Sequence, residues 1–203
     1  MTKSNSLPKT VIFLDASNIY LSGKKYHNIT VKPEKLIAFL STDKNIIDTY
    51  FFSAEDQSYS RQIEFHDMLE STYNIKVFTE PLVYNYVTIR CANPSCNNII
   101  IPRHCEMCGE FFSLPPHKSK RIDISLAVNM LDICSTCEEY IFATGDSDFI
   151  PLIRNLRNKK GKKVHLASFK DALSDDYKDD DPMTNKKVID SIIILDRYLN
   201  QII

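Results

Sequence analysis

The chain has 203 residues, with 25 Lys plus Arg against 26 Asp plus Glu, for a formal net charge of −1. That length suits one domain, or one domain with a small insert, and can bury a real core without disulfide staples. The apolar (43%) and charged (25%) fractions exclude wholesale disorder, and the near-zero net charge excludes a bulk polyelectrolyte partner while leaving room for a local basic groove. No apolar run approaches the roughly 20 residues of a membrane span. The polar start, Met1–Ser6, has no signal-peptide core behind it, which predicts a cytoplasmic protein with no membrane partner.

In chain order, Val11-Ile12-Phe13-Leu14 is a continuous apolar run ending in Asp15, as expected of a strand buried on both faces. Lys32 to Leu40 reads as a helix, with Pro33 near its start and Leu36, Phe39 and Leu40 on one side. Thr49–Phe52 reads as a strand, Ser58–Tyr73 as a helix and Ile75–Phe78 as a strand. The stretch from about 81 to 116 breaks this rhythm with four cysteines and five prolines, and is expected to be an insertion. Beyond it, Ile122, Leu126, Met130 and Ile133 fall at helical spacing. Tyr140–Ala143 then predicts a strand, Phe149–Lys160 a helix stopped by Gly161, Lys163–Ala167 a strand and Ile192–Leu195 another. Between the last two, the Asp-rich stretch 171–181 is expected to be a mobile surface loop.

Strands alternating with helices imply βαβ units and a mostly parallel sheet, whose ligands bind outside the carboxyl ends of the strands. Carboxylates stand where such a sheet would use them. Asp15 ends the first strand, with Asn18 just after it; Asp146 and Asp148 follow the strand Tyr140–Ala143; Asp123 opens the preceding helix. Neighbouring first and Tyr140–Ala143 strands would bring Asp15, Asp146 and Asp148 to one edge, with Asp123 reaching in. Clustered carboxylates repel one another, and a divalent cation relieves that repulsion. Hard oxygen donors suit Mg²⁺ or Mn²⁺, which serve metal-assisted phosphodiester hydrolysis. Asn18 is suited to orienting a carboxylate or a phosphate. The bland alternative is that Asp148 and Asp123 cap their helices and Asp15 sits in a turn. Residue by residue the two readings weigh equally; jointly, three sites on one rim favour chemistry.

These segments carry a family resemblance. Val11–Asn18 resembles the opening Asp-x-x-Asn strand of NYN domains, the LabA-like branch of the PIN-like nucleases. Lys120–Asn129 resembles their Lys-Gly-x-Asp-x-x-Leu-Ala-x-Asp helix, and Ala143–Leu152 their Ser-Gly-Asp-x-Asp-Phe-x-Pro-Leu signature; Gly161-Lys162-Lys163-Val164 matches the Gly-Lys-x-Val that follows. The resemblance covers most of the chain, 8–203, apart from the insert. It implies a PIN-like three-layer α/β/α sandwich with a mostly parallel central sheet. It also implies a metal-dependent ribonuclease, an endoribonuclease hydrolysing RNA phosphodiester bonds. Asp15, Asp123, Asp146 and Asp148 become its catalytic acids, with Asp15, Asp146 and Asp148 holding the Mg²⁺ or Mn²⁺. Asn18, Lys120 and Arg121 become contacts to single-stranded RNA. Three departures stand out: Asn129 in place of an Asp, Arg121 in place of Gly and Thr144 in place of Ser. A haloacid-dehalogenase-type phosphatase would need Asp where Ser17 and Ile150 stand, and four glycines in all leave no Walker-type loop.

The insert pairs Cys91-x4-Cys96 with Cys105-x2-Cys108 across eight residues. Four thiolates in one short segment resemble a zinc ribbon, expected over 84–114, whose folding energy a structural Zn²⁺ would supply. Tyr84, Tyr86, Arg90, Arg103, His104 and Phe111 give it stacking and phosphate-binding capacity, or a small core around the metal. RNA contact, bracing, and contact with a protein partner or a second copy all remain open for it. Cys134-x2-Cys137 follows a helix, whereas a redox pair needs a helix N-terminus, so packing is its expected role. Lys118–Arg121 and the basic run Arg154–Lys163 lie near the acids in sequence, and would serve an RNA backbone or simply face solvent. The rivals to a nuclease are a non-catalytic RNA-binding or regulatory module, weakened in metal binding by Asn129, and an interaction protein acting through the ribbon.

Overall fold

The computed structural model describes residues 6–56, 59–85, 93, 95–96, 107–109, 117–119, 121–181 and 186–203. Of the expected ribbon, Cys91 and Cys105 lie outside the described residues; Cys96 and Cys108 are exposed. Lys120 also lies outside them.

The chain opens with β1 (Lys9–Asp15) and turns at once into α1 (Ala16–Ser22), which widens into a π turn over Gly23–His27. There follow α2 (Pro33–Leu40), β2 (Asn45–Glu55), α3 (Ser60–Tyr73) and β3 (Lys76–Pro81). A short hairpin of β4 (Val83–Asn85) and β5 (His117–Ser119) brackets the insert. Then come α4 (Ile122–Asp132), β6 (Glu139–Ala143), α5 (Ile150–Arg154), β7 (Lys163–Ser168), β8 (Asp180–Asp181), β9 (Lys186–Lys187), β10 (Ser191–Ile194) and α6 (Leu199–Ile202).

Six strands form one parallel sheet in the order β10-β7-β6-β1-β2-β3. The chain starts in the middle, builds outward through β2 and β3, then returns to the other side of β1 and builds outward through β6, β7 and β10. The order therefore reverses between β1 and β6, and such a switch point opens a crevice at the carboxyl ends of the two strands.

The apolar run of β1 is buried on both faces because the sheet is covered on both. Alternate side chains divide between two cores. Val11 and Phe13 join Phe52, Phe142, Leu126, Met130, Ile153 and Leu156 under α4 and α5. Ile12 and Leu14 join Leu36, Leu40, Phe51, Leu69 and Ile202 under α1, α2, α3 and α6. Phe13 stacks on Tyr50 at 4.7 Å between ring centroids and on Phe52 at 5.7 Å, and Phe78 continues the row at 5.0 Å from Phe52. Those aromatic contacts hold β1, β2 and β3 in register on that face.

Two expectations need correcting. Residues 16–27, left unassigned by the periodicity, are helical: Asp15 supplies a side-chain cap that starts α1 at the strand's last residue. The Asp-rich stretch 171–181 is not merely a surface loop. Ser174 caps a turn of 3₁₀ helix over Asp175–Tyr177, which drives Tyr177 into the core at 1% exposure. Among the described residues, no helix is long and apolar enough to cross a membrane.

Candidate active site

β1 and β6 are hydrogen-bonded neighbours, with Leu14 opposite Ala143. The residues that follow them, Asp15 and Thr144, meet at the switch point. Asp15 is buried, at 4% exposure. Its Oδ1 accepts the Asn18 N–H at 3.1 Å and its Oδ2 accepts the Thr144 hydroxyl at 3.1 Å. Thr144 Oγ1 in turn accepts the Asp146 N–H at 3.2 Å. Asp146 Oδ1 accepts the Asp148 N–H at 2.9 Å and thereby starts the 3₁₀ turn Ser147–Phe149 that leads into α5. The cap of that segment is thus Asp146 rather than Asp148. Capping and clustering are one arrangement: hydrogen bonds within the turns fix the carboxylates at the rim.

Asn18 is a brace across the crevice. Its Oδ1 accepts the Gly145 N–H at 3.0 Å, which leaves the two N–H donors of the amide for a phosphate or carboxylate. The Gly145 carbonyl accepts the Ser174 N–H at 3.1 Å. Glycine is required there by space: a Cβ would stand 2.2 Å from the Ala172 carbonyl oxygen and 2.8 Å from Ser168 Oγ. The loop after β6 is therefore clamped between α1 and the loop after β7.

Tyr177 closes the site from that second loop. Its hydroxyl donates to the Asp146 carbonyl. Burial pushes its ionisation well above that of an ordinary tyrosine, and the negative charges of Asp146, Asp148, Asp15 and Asp176 push it further. Asp15 Oδ2, the Thr144 hydroxyl and the Asp146 N–H form one hydrogen-bonded chain, and Asp146 Oδ1 holds the Asp148 N–H, so the structure places Asp15, Asp146 and Asp148 along one rim. Asp146 is half-buried and Asp148 exposed, which makes the crevice a one-sided wall of negative charge open to solvent.

Asp123 is placed less directly. The Tyr140 hydroxyl, at the start of β6, donates to the Met130 carbonyl near the end of α4 at 2.9 Å. The helix thus runs against the strand direction. From Met130 back to Asp123 it rises about 10 Å, about the rise of β6 from Tyr140 to Ala143. Asp123 stands exposed on the first turn of α4, on the carboxyl side of the sheet, but is not among the main charges acting on Tyr177. Arg121 is exposed immediately before it. Asn129, which replaces an acid of the resembled motif, turns its amide back on its own helix and donates to the Ser125 carbonyl at 2.8 Å.

The basic run after α5 is not at this site. Arg157 forms a two-pronged pair with Asp190 at 2.9 Å, Lys162 donates to the Cys137 carbonyl at 2.7 Å, and Lys163 pairs with Glu139 at 3.1 Å. These residues lie at the amino end of β7, the opposite edge of the sheet. Proximity in sequence misleads because α5 and its π continuation, Asn155–Lys159, carry the chain back across the sheet. Cys137 is buried, and burial raises its thiol ionisation, as expected of a packing residue.

The donor set at the crevice is all oxygen, which fits Mg²⁺ or Mn²⁺ and not a soft metal. Each carboxylate oxygen that takes a backbone or hydroxyl donor keeps lone-pair capacity for a cation. The set is gathered but not closed: among the described residues, no three His, Cys, Asp or Glu side chains stand ready to hold a metal ion. Sequence reasoning missed Tyr177, Ser174 and the bracing role of Gly145. The signal for Tyr177 was a lone aromatic in an otherwise acidic stretch, Ser174–Asp181.

A doubly wound parallel sheet with acids at its switch point defines an α/β protein of the PIN-like nuclease class. The chain belongs to the NYN domain family, whose model matches residues 9–191. No curated protein matches it. Among solved structures it is similar to VPA0982 of Vibrio parahaemolyticus RIMD 2210633, a protein of unknown function, with a TM-score of 0.64, 15% identity and 96% of each chain covered. That likeness shows a shared fold. Structures of Sir2 enzymes are more distant. One concerned with their mechanism and regulation has a TM-score of 0.36 and 12% identity, covering 93% of this chain and 87% of that one. Sir2Tm bound to a propionylated peptide has a TM-score of 0.34 and 12% identity, covering 93% and 88%. Neither bears on the fold or the function.

Proposed function

We propose that this chain is a metal-dependent endoribonuclease acting on single-stranded RNA, with Asp15, Asp146, Asp148 and Asp123 as its catalytic acids. The observation that supports the reading is the hydrogen-bonded chain from Asp15 through Thr144 to Asp146, and on to Asp148, at the β1–β6 switch point. Asp15, Asp146 and Asp148 would hold Mg²⁺ or Mn²⁺, and the bound ion supplies an activated water and charge stabilisation at the phosphoryl group. Asp15, held by Thr144 and the start of α1, is the fixed member of the set. Asp148, exposed at the rim, is the member free to adjust on binding. Asp123 accepts or orients protons from the α4 side. Arg121, Lys120 and the Asn18 amide offset the phosphate charge.

One observation favours the second reading, a non-catalytic RNA-binding or regulatory module: Asn129 adds no carboxylate and the acids are not closed around a point. The experiment that decides is incubation of labelled single-stranded RNA with Mn²⁺, Mg²⁺ or EDTA, beside Asp146→Asn. Internal cleavage that needs the metal and vanishes in the variant establishes the nuclease. Binding without cleavage establishes the module.

Cys91, Cys96, Cys105 and Cys108 are proposed to hold one structural Zn²⁺, in a cytoplasm reducing enough to keep thiolates free. One zinc per chain by metal analysis, lost in Cys96→Ser, is the expected result. The ribbon would then serve RNA, a protein partner or a second copy.

A further inference from the structure

Beside the acidic crevice, on the other side of α1, lies a cavity of about 840 Å³. It is open to solvent and within the size range of ligand pockets. Its walls come from the end of β1, α1, the start of α2, the end of β2 and α3, and they are largely apolar. Adjacent positions of α1 divide between the two sites. Asn18 braces the Gly145 peptide at the crevice, whereas Ser17, Tyr20 and Leu21 wall the cavity. The cavity is therefore lined by residues one or two positions from Asp15 and Asn18 along the chain.

Of the ionisable side chains that line it, Tyr20, Lys32, Glu34 and His66, only His66 is buried. His66, on α3, is 6% exposed, and its Nδ1 lies 3.0 Å from Glu55 Oε2. The carboxylate accepts the Nδ1 proton, which orients the ring. The ring is wedged edge-on against Phe51, at 5.9 Å between centroids, and against Phe65 at 6.0 Å. Gln62, the other polar group on α3 there, is spent: it donates to the Ala54 carbonyl at 2.8 Å and accepts the Asp56 N–H at 3.1 Å. An oriented ring in an aromatic wall, with a second ring nitrogen beyond the one bonded to Glu55, suits a flat partner with a hydrogen-bonding edge. Tyr20, half exposed on α1, offers a face on which such a partner can stack.

We propose that this cavity is a nucleobase pocket, in which a base neighbouring the phosphate at the acid cluster lies against Phe65 and Tyr20 and forms a hydrogen bond with His66 Nε2. Every base has a π face and an N–H edge, so the pocket selects for an unpaired base rather than for one sequence. A duplex, whose bases are stacked and paired, is excluded. The inference rests on the nuclease reading only for where the RNA strand runs.

The test is fluorescence anisotropy in EDTA with a short single-stranded RNA carrying one abasic site at each position in turn, alongside an NMR titration with free nucleosides. One abasic position is expected to weaken binding roughly tenfold, the others much less, and nucleosides to shift the signals of His66, Phe65 and Tyr20. His66→Phe, which keeps a ring and removes its nitrogens, and Ala54→Leu, which fills the cavity, should each erase the position effect while still unfolding cooperatively on heating. Equal effects at all positions, or variants that fold and keep the discrimination, overturn the proposal. Nucleoside shifts with no positional effect in RNA reassign the pocket to free nucleotides and overturn its role in strand binding. The nuclease reading fails separately: discrimination without Mn²⁺-dependent cleavage keeps the pocket and removes the catalysis, and cleavage without discrimination does the reverse.

Discussion

The two edges of the central sheet treat charge in opposite ways. At the amino edge, Glu139 is buried yet faces two cations, Lys163 at 3.1 Å and Lys44 at 3.4 Å, with the His165 ring 3.6 Å away. Burial alone would raise its carboxyl ionisation, but those partners outweigh it and hold it below the ordinary glutamate value. At the carboxyl edge, Asp15, Asp146 and Asp148 gather on one rim, held by backbone N–H and hydroxyl donors, and their charges push the Tyr177 ionisation up. A buried carboxylate held between two lysines stabilises the fold. Carboxylates gathered on one rim repel one another and are suited to a cation from outside.

The largest effect that can break this contrast is on activity. Asp15→Asn should reduce metal-dependent RNA cleavage by about 100-fold or more while leaving the melting temperature near wild type, read by gel assay and thermal denaturation on one preparation. A variant as active as wild type would take the carboxyl edge out of the chemistry. Next comes Gly145→Ala, whose methyl has no space beside the Ala172 carbonyl; a loss of about 2–3 kcal/mol is expected in urea unfolding, since the clamp between the two loops must open.

At the amino edge, Glu139→Gln should cost about 1–2 kcal/mol at neutral pH. Because the folded carboxyl ionises below its ordinary value of 4.5, the unfolded chain binds the proton more readily. The stability Glu139 contributes is complete above that value and lost as pH falls through the folded one. Wild type and Glu139→Gln should therefore converge in stability as the pH drops below about 4, seen as merging denaturation midpoints. The smallest effect has the opposite sign. Asp148→Asn relieves like-charge repulsion and should raise stability by a few tenths of a kcal/mol, an increase that added Mg²⁺ should cancel by stabilising wild type alone. A destabilised Asp148→Asn would mean that the carboxyl edge, too, is compensated.

Most of the sheet was legible in the sequence because its strands are continuous apolar runs. Val11–Leu14, Tyr140–Ala143 and Lys163–Ala167 all fall within the strands observed. The acids were legible as strand-end residues, and the pairing of β1 with β6 links Asp15 to Asp146 through Thr144. What stayed hidden was tertiary. Residues 16–27 carry no clear stripe, since α1 buries only Ile19 and Ser22, and a helix so short takes its start from the Asp15 cap. Tyr177 was hidden in an acidic stretch because its burial depends on a partner loop 31 residues earlier. The basic run was misplaced because charge periodicity says nothing of which edge a helix returns to. Lys120, Cys91 and Cys105 lie outside the described residues, so their roles rest on sequence alone.

The pairing of β1 with β6 has a consequence for how the molecule is made. Asp15 and Thr144, bonded at 3.1 Å, are 129 residues apart. During synthesis β1, β2 and β3 emerge first and can associate through neighbouring contacts, but the inner edge of β1 stays unpaired until β6 is released. Pairing across so long a separation is slow to form, and an apolar strand left waiting is a hazard for aggregation. It also sets a late birth for the acid cluster: a chain still attached to the ribosome short of residue 148 holds Asp15 alone, and the crevice comes into being only when the two halves of the sheet join.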